Sequence, residues 1–442
     1  PFHSRLKSLR RLTRVAMAMT FLVVLAGSVV RMTGSGMGCP DWPKCFGLMI
    51  PPTEAAEVTW QEGATYDRGR MLLKRDTLWV AQVDVHSTDF EAERARGQWV
   101  AYDKHDYAVF NPMHTWVEFI NRLLGALTGI PALLLLGWTF WRGVKVRHWQ
   151  PFAWAIVHLF WLGLVAWVGK KVVDGNLIPF SITIHMLGAM AILVSLAGLL
   201  HSVWEHQSPR RMDLLPRGKG WIAVALILTV AQLVLGTQVR EQVDLLNHAE
   251  VLRADWIGAL PEWWKVHRSG SWVVLAVQLM WLMPLRKAKG SLRAIVRLVT
   301  ALLSAQILTG VLFVNMGMPA WAQPVHLLLA VGLVLSNVWV LLHYRSPRTS
   351  RTGRSSKKAV RWGRLFCWML ASESTAAHFA IRSILDGTRH SGLFLIGHLL
   401  DGLARRFGLR SRLVLLVYCE LDGVGRGLCS EVVHARLQSL LP

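Results

Sequence analysis

Eight apolar runs, each long enough to match the hydrocarbon core of a bilayer, divide this 442-residue chain and leave it few folds to choose from. Windows of about 19 residues place them near 12–30, 114–141, 151–169, 181–203, 220–239, 266–285, 294–314 and 322–343. Lipid offers no partner to a backbone N–H or C=O, so segments of this kind satisfy their polar groups internally as helices. With 53% hydrophobic residues, the expectation is an all-α polytopic membrane protein with eight transmembrane helices, not a soluble enzyme. The first run continues into Arg31-Met32-Thr33-Gly34-Ser35-Gly36 without a small-residue cleavage pattern, so it reads as a helix and not as a signal peptide.

A net charge of +22 would suit a nucleic-acid binder, but its distribution argues otherwise. Basic residues gather at Arg5 to Arg14, Arg142 to Arg147, Arg210 to Lys219 and Arg286 to Arg297, which are alternate loops. The positive-inside rule makes these loops cytoplasmic, and both ends of the helical region with them. Segments 31–113, 170–180, 240–265 and 315–321 then lie outside. From about Arg345 the chain changes character, with sixteen Lys or Arg against six Asp or Glu. This basic tail, 345–442, has no counterpart elsewhere and receives no function.

The spans fall into two sets of four that share local sequence. Span one ends Gly27-Ser28-Val29-Val30-Arg31 and span five Gly236-Thr237-Gln238-Val239-Arg240. Span two opens Glu118-Phe119-Ile120-Asn121-Arg122 and span six Trp264-Lys265-Val266-His267-Arg268. His185 and His326 each follow a glycine, Gly169 and Gly310, by sixteen residues. A parallel repeat is the economical description. It gives two pseudo-symmetric four-helix bundles, 10–205 (with the long outer loop 31–113) and 206–344, a scaffold suited to holding cofactors between facing helices.

Ionisable groups inside spans are costly unless paired or ligated. His185, His267 and His326 fall at repeat-related places and one depth near the outer face, which points to heme iron ligation. The repeat puts Asn121 where His267 sits, and an amide is a poor iron ligand. Glu118 lies one turn before Asn121 on the same helix face and could serve chemistry or pair with Arg122. Arg31, Arg122, Arg240 and Arg268 stand at outer ends of spans, where they could bind heme propionates or snorkel. Of five cysteines, Cys39 and Cys45 lie in the outer loop; their spacing is no zinc pattern, and a redox pair or a structural clip remains open.

The stretch from Gly27 to Pro43, the Glu118-x-x-Asn121-Arg122 opening, Ile184-His185-Met186-Leu187-Gly188, His267-Arg268 and Pro324-Val325-His326 resemble the heme A synthase family. The resemblance covers about residues 10 to 343. It implies a b-type heme between His267 and His326, and heme O in the first bundle, where a ring methyl is oxidised to a formyl group through an alcohol. It also implies Glu118 as catalytic residue, Cys39 and Cys45 as a redox or heme-handling pair, and heme A as product. Where the family carries a histidine three residues after the glutamate, this chain has Asn121, which leaves His185 as the substrate heme's one protein ligand. The partners implied are heme O, the farnesyltransferase that makes it, other cytochrome oxidase assembly factors and the lipid bilayer of a bacterial cytoplasmic membrane. Self-association is left open, and no nucleic acid is expected. Two other readings fit the same residues: a non-catalytic heme-binding or delivery protein, and a b-type cytochrome passing electrons from quinol.

Overall fold

The computed structural model describes residues 2–103, 110–174, 180–205, 212–213 and 218–345. The tail from residue 346, with Cys367, Cys419 and Cys429, lies outside the described residues, as do His105 and His206.

Helices stand at every expected span. In chain order they are α1 (Phe2–Thr33), a short α2 in the outer loop (Phe90–Ala95), α3 (Pro112–Leu127), α4 (Gly129–Val146), α5 (Gln150–Asp174), α6 (Ser181–Glu205), α7 (Gly218–His248), the single-turn α8 (Trp256–Ala259), α9 (Trp264–Leu282), α10 (Gly290–Asn315) and α11 (Ala322–Leu342). Seven spans among the described residues are long and apolar enough to cross a membrane. The helix at the place of the sixth expected span, α9, has 19 residues and carries Lys265, His267 and Arg268 near its start, so it falls short of that measure. The chain is a multi-pass, all-α membrane protein.

The second span is not one straight helix. Pro131 has no N–H to give and its ring crowds the carbonyl of Leu127, so the helix breaks at Thr128, whose hydroxyl takes up the Gly125 carbonyl at 2.5 Å. The fifth expected span runs nine residues longer than its apolar stretch, to His248. Arg240 and Asp244, one turn apart and paired at 2.8 Å, support that extension.

Packing partners fall into two groups. In the first, α1 lies against α3, α4 and α6, and α5 against α4 and α6; in the second, α7 lies against α9 and α11, and α10 against α9 and α11. Each group has its own core, with Leu9, Leu135, Ala155 and Leu196 in one and Ile222, Trp281, Val299 and Leu333 in the other. The groups meet along α1, α6, α7 and α11, where Val24, Leu193, Leu233 and Val334 interlock. Large apolar side chains on the outer faces, such as Leu133, Phe160 and Ile227, stay exposed, as lipid-facing residues do.

The loop between α1 and α3 folds as a small unit. Strands β1 (Thr65–Tyr66), β2 (Met71–Lys74), β3 (Thr77–Ala81), β4 (Val85–His86) and β5 (Trp99–Ala101) form a β2-β3-β5 antiparallel sheet and a β1-β4 pair. Lys74 faces Thr77 across a two-residue turn in which Arg75 and Asp76 both have positive φ, the mirror-image turn whose twist suits a hairpin. Cys39 and Cys45 form a disulfide, fully buried with Phe46, Val58, Met71 and Leu78.

Candidate functional site

Four pairs, each a helical glycine facing a polar ring or amide on a neighbouring helix, organise the end of the helices that carries the loop 31–113. A Cβ added at Gly169 of α5 would meet His185 Cε1 of α6 at 3.2 Å, and one at Gly236 of α7 would meet His267 Cε1 of α9 at 3.0 Å. At Gly310 of α10 it would stand 3.8 Å from His326 Cε1 of α11, and at Gly27 of α1, 3.6 Å from Asn121 Oδ1 of α3. Asn121 thus meets a glycine of a neighbouring helix as the three histidines do. His185, His267 and His326 are the fifth, fourth and fifth residues of their helices, so all three lie near the same end of the molecule.

His267 and His326 face each other with ring centroids 6.5 Å apart and planes inclined at 72°. Metal–imidazole bonds of about 2 Å on opposite sides of one ion put two ring centres roughly 6 Å apart, so the gap is one ion wide. The surroundings of His326 fix its tautomer. Thr309 Oγ1 lies 3.0 Å from the carbonyl of Ala305 and 2.9 Å from that of Gln306, which uses its proton, so it accepts Nδ1–H of His326 at 2.7 Å. Nε2 is left with a free lone pair, which Gln306 Nε2 meets at 3.0 Å. A bare Nε2 held from behind through Nδ1 is the form in which histidine binds a metal.

The donor set fits a heme iron in the second half. Two imidazoles face one another, glycines leave room beside the rings, and His267 Nδ1 and the side-chain oxygens of Gln232 and Gln306 are buried without a hydrogen-bond partner. In the first half His185 Nδ1 and Asn121 Oδ1 are buried and unpartnered in the same way. The two halves differ in their linings. Gln232 and Gln306 each precede a site glycine by four residues, where the first half has Val23 and Val165.

The structure uses Glu118 as an anchor. The carboxylate is buried, accepts the Cys39 N–H at 2.8 Å and pairs with Arg122. Arg122 also donates to the carbonyls of Asp41 at 2.5 Å, Cys39 at 3.1 Å and Lys44 at 3.2 Å. The disulfide loop is thereby tied to the outer part of α3, and a side chain at Gly38 would overlap the His114 carbonyl. Asp41 accepts the Gly47 N–H at 2.9 Å; burial raises its pKa above the ordinary value, opposed by that hydrogen bond and by the Arg122 charge.

Arg31 and Arg240 converge on Asp244. Both pair with its carboxylate, and Arg240 also donates to the Arg31 carbonyl at 2.6 Å. Arg268 lies over the Trp264 ring at 5.1 Å. The four arginines are thus not equivalent: two join the halves, one holds the outer loop, and one stacks on a tryptophan beside His267.

Sequence reading missed Asp244, Thr309 and the glutamines. A signal for the two glutamines existed, since Ala231-Gln232-Leu233-Val234-Leu235-Gly236 repeats as Ala305-Gln306-Ile307-Leu308-Thr309-Gly310, with Thr309 standing opposite Leu235. Nothing of that kind flagged Asp244, whose partner Arg31 is 213 residues away.

Residues 10–74 and 86–338 match the model of the family described as cytochrome oxidase assembly protein, COX15-CtaA. Similar proteins named Heme A synthase include one from Methylobacterium nodulans, 28% identical over 365 residues that cover 76% of this chain and 90% of that one. Another, from Methylobacterium sp. strain 4-46, is 26% identical over 366 residues, 75% of this chain and 91% of its own. The match to the Shewanella oneidensis protein of that name is 25% over 230 residues, 51% of this chain, and spans about half of that relative, 54%.

Proposed function

From its membership of the COX15-CtaA family of cytochrome oxidase assembly proteins, we propose that this chain is a membrane oxidoreductase that makes heme A from heme O. The reading assigns a resident b-type heme to the second half (206–344), ligated by His267 and His326, and heme O to the first half (10–205), ligated by His185. The resident heme would supply one-electron chemistry, passing to an external electron acceptor the electrons released as the substrate's ring methyl is oxidised through an alcohol to a formyl group. The observation that carries the reading is the fourfold repeat of glycine against ring or amide, with two imidazoles 6.5 Å apart in one half.

The protein's own residues hold and orient. Thr309 keeps His326 Nε2 unprotonated, and the Gln306 amide donates to that nitrogen at the place where iron would bind. Arg268, next to His267, is assigned to a heme propionate, where an arginine makes charge-assisted hydrogen bonds; Arg31 and Arg240 are assigned to propionates as well, with Asp244 between them. Arg122 is assigned to the same outer rim through the loop it holds. Glu118 stands one turn from Asn121 and pairs with Arg122, and it is assigned the catalytic role of accepting a proton or stabilising positive charge at the methyl carbon. The Cys39–Cys45 pair sits directly behind that carboxylate and is assigned to redox or heme handling. The protein works in a bacterial cytoplasmic membrane with both ends of its helical region inside, taking heme O from the farnesyltransferase that makes it and serving other assembly factors.

His267→Ala and His326→Ala are each expected to abolish the b-type absorption of the reduced protein, and His185→Ala to leave that absorption while ending formyl production. Glu118→Gln should keep heme content and end formyl production. Unchanged b-type absorption in both second-half variants contradicts the ligand assignment.

A further inference from the structure

The two halves hold their irons differently, because one of the four ligand places is an amide. A Cβ at Gly27 of α1 would stand 3.6 Å from Asn121 Oδ1 of α3, and one at Gly236 of α7 3.0 Å from His267 Cε1 of α9, so by the sequence repeat the two side chains occupy matching positions. Heme iron takes imidazole, thiolate, thioether or phenolate from a protein; a neutral carboxamide has no comparable lone pair and is shorter than an imidazole. Neither Glu118, His158 nor His114 stands in for it. Glu118, one turn away, has one oxygen on the Cys39 N–H and the other on Arg122. His158 lies eleven residues before Gly169 on α5, about 16 Å deeper along the helix, against Ser195 Oγ at 3.4 Å. His114 lies two turns further out on α3. The lining differs as well, with Val23 and Val165 replacing the amides of Gln232 and Gln306.

We propose that the first half binds heme through His185 alone and keeps the Asn121 side of the iron open to a small uncharged ligand, with the buried, unpartnered Asn121 Oδ1 on that side. The second half, closed by two histidines, takes no such ligand. The inference rests on heme binding in the first half as assigned above. An open axial place would let an external molecule reach the iron on the substrate side without first displacing a histidine.

The test uses the full-length protein purified from cells supplied with heme O, reduced and exposed to carbon monoxide, with hemes extracted from the same sample. The expected result is a carbon monoxide difference spectrum in wild type that is lost in His185→Ala and lost in Asn121→His, the latter keeping its heme content and showing a second six-coordinate, low-spin heme. Two results overturn the inference: a wild type that retains heme O or its product yet does not respond, and a response undiminished in His185→Ala. Retention of heme B alone would instead overturn the assignment of substrate heme to the first half, and the inference with it. The wild-type and His185→Ala arms decide the matter even if Asn121→His does not fold.

Discussion

Thr309 does for His326 what no described side chain does for His185 or His267: it fixes which nitrogen carries the proton. Its hydroxyl proton is committed to the backbone of its own helix, so it accepts from Nδ1 and leaves Nε2 unprotonated. Outer partners of this kind are worth about 10–100-fold in metal affinity. Thr309→Val keeps the volume and removes the acceptor, so second-half heme should dissociate about 10–100-fold more readily, read by titrating heme into the stripped protein. An unchanged affinity would show that Thr309 merely packs. At this scale the sequence exposed His185, His267 and His326 because their glycine spacing and flanks repeat. It hid the Arg31–Asp244 pair, because an ion pair between residues far apart in the chain leaves no local pattern, whereas Arg240 and Asp244, one turn apart, were open to a local reading. Glu118 was legible as a buried carboxylate beside Arg122, but its hold on the Cys39 N–H depends on where the outer loop folds back.

Among the elements, the outer loop is the one the sequence concealed most. Its strands are two to five residues long, too short for alternation to show, and the turn at Arg75-Asp76 lacks the glycine or asparagine that usually marks such a hairpin. Its stability turns on Glu93, a buried carboxylate that accepts from Ser87 Oγ, from Thr88 N at 2.7 Å, from Trp99 Nε1 at 3.0 Å and from Asp89 N at 3.2 Å. Burial alone would raise its pKa, but these hydrogen bonds outweigh it and hold it below the ordinary glutamate value of 4.5. The folded unit therefore favours the carboxylate: its contribution is full above that ordinary value and is lost as pH falls through the depressed one. Acid titration followed by the fluorescence of the buried tryptophans should show the loop unfolding below pH 4.5, with Glu93→Gln removing that transition. A transition centred above that value in wild type would contradict the account. The helices were easier to read, because twenty apolar residues leave lipid one solution. Their ends were not: Pro131 broke one span at Thr128, and a polar turn closed by Arg240 and Asp244 lengthened another.

For the whole molecule, duplication explains both the likeness of the halves and their difference. Four glycines face polar side chains of neighbouring helices, three of them histidines and one Asn121. The repeat was legible from three recurring stretches, whereas the seam where α1, α6, α7 and α11 meet was not, since each of those helices is apolar over most of its surface. At the outer end of that seam Asp244 joins Arg31 of the first group to Arg240 of the second. Asp244→Ala leaves two arginines facing each other and should lower the melting temperature of the detergent-solubilised protein; removing Arg31 as well should cost less than the sum of the single changes, because they share one interaction. Strict additivity would mean that the cluster does not couple the halves. The central claim is that one half keeps a heme for electron transfer while the other transforms one. It is tested most directly by purifying the protein from cells with and without a heme O supply and separating the extracted hemes by chromatography with mass detection. The account predicts heme B in both cases and, with heme O supplied, heme A or its alcohol precursor beside it. Heme B together with unchanged heme O, or no heme B at all, would contradict it.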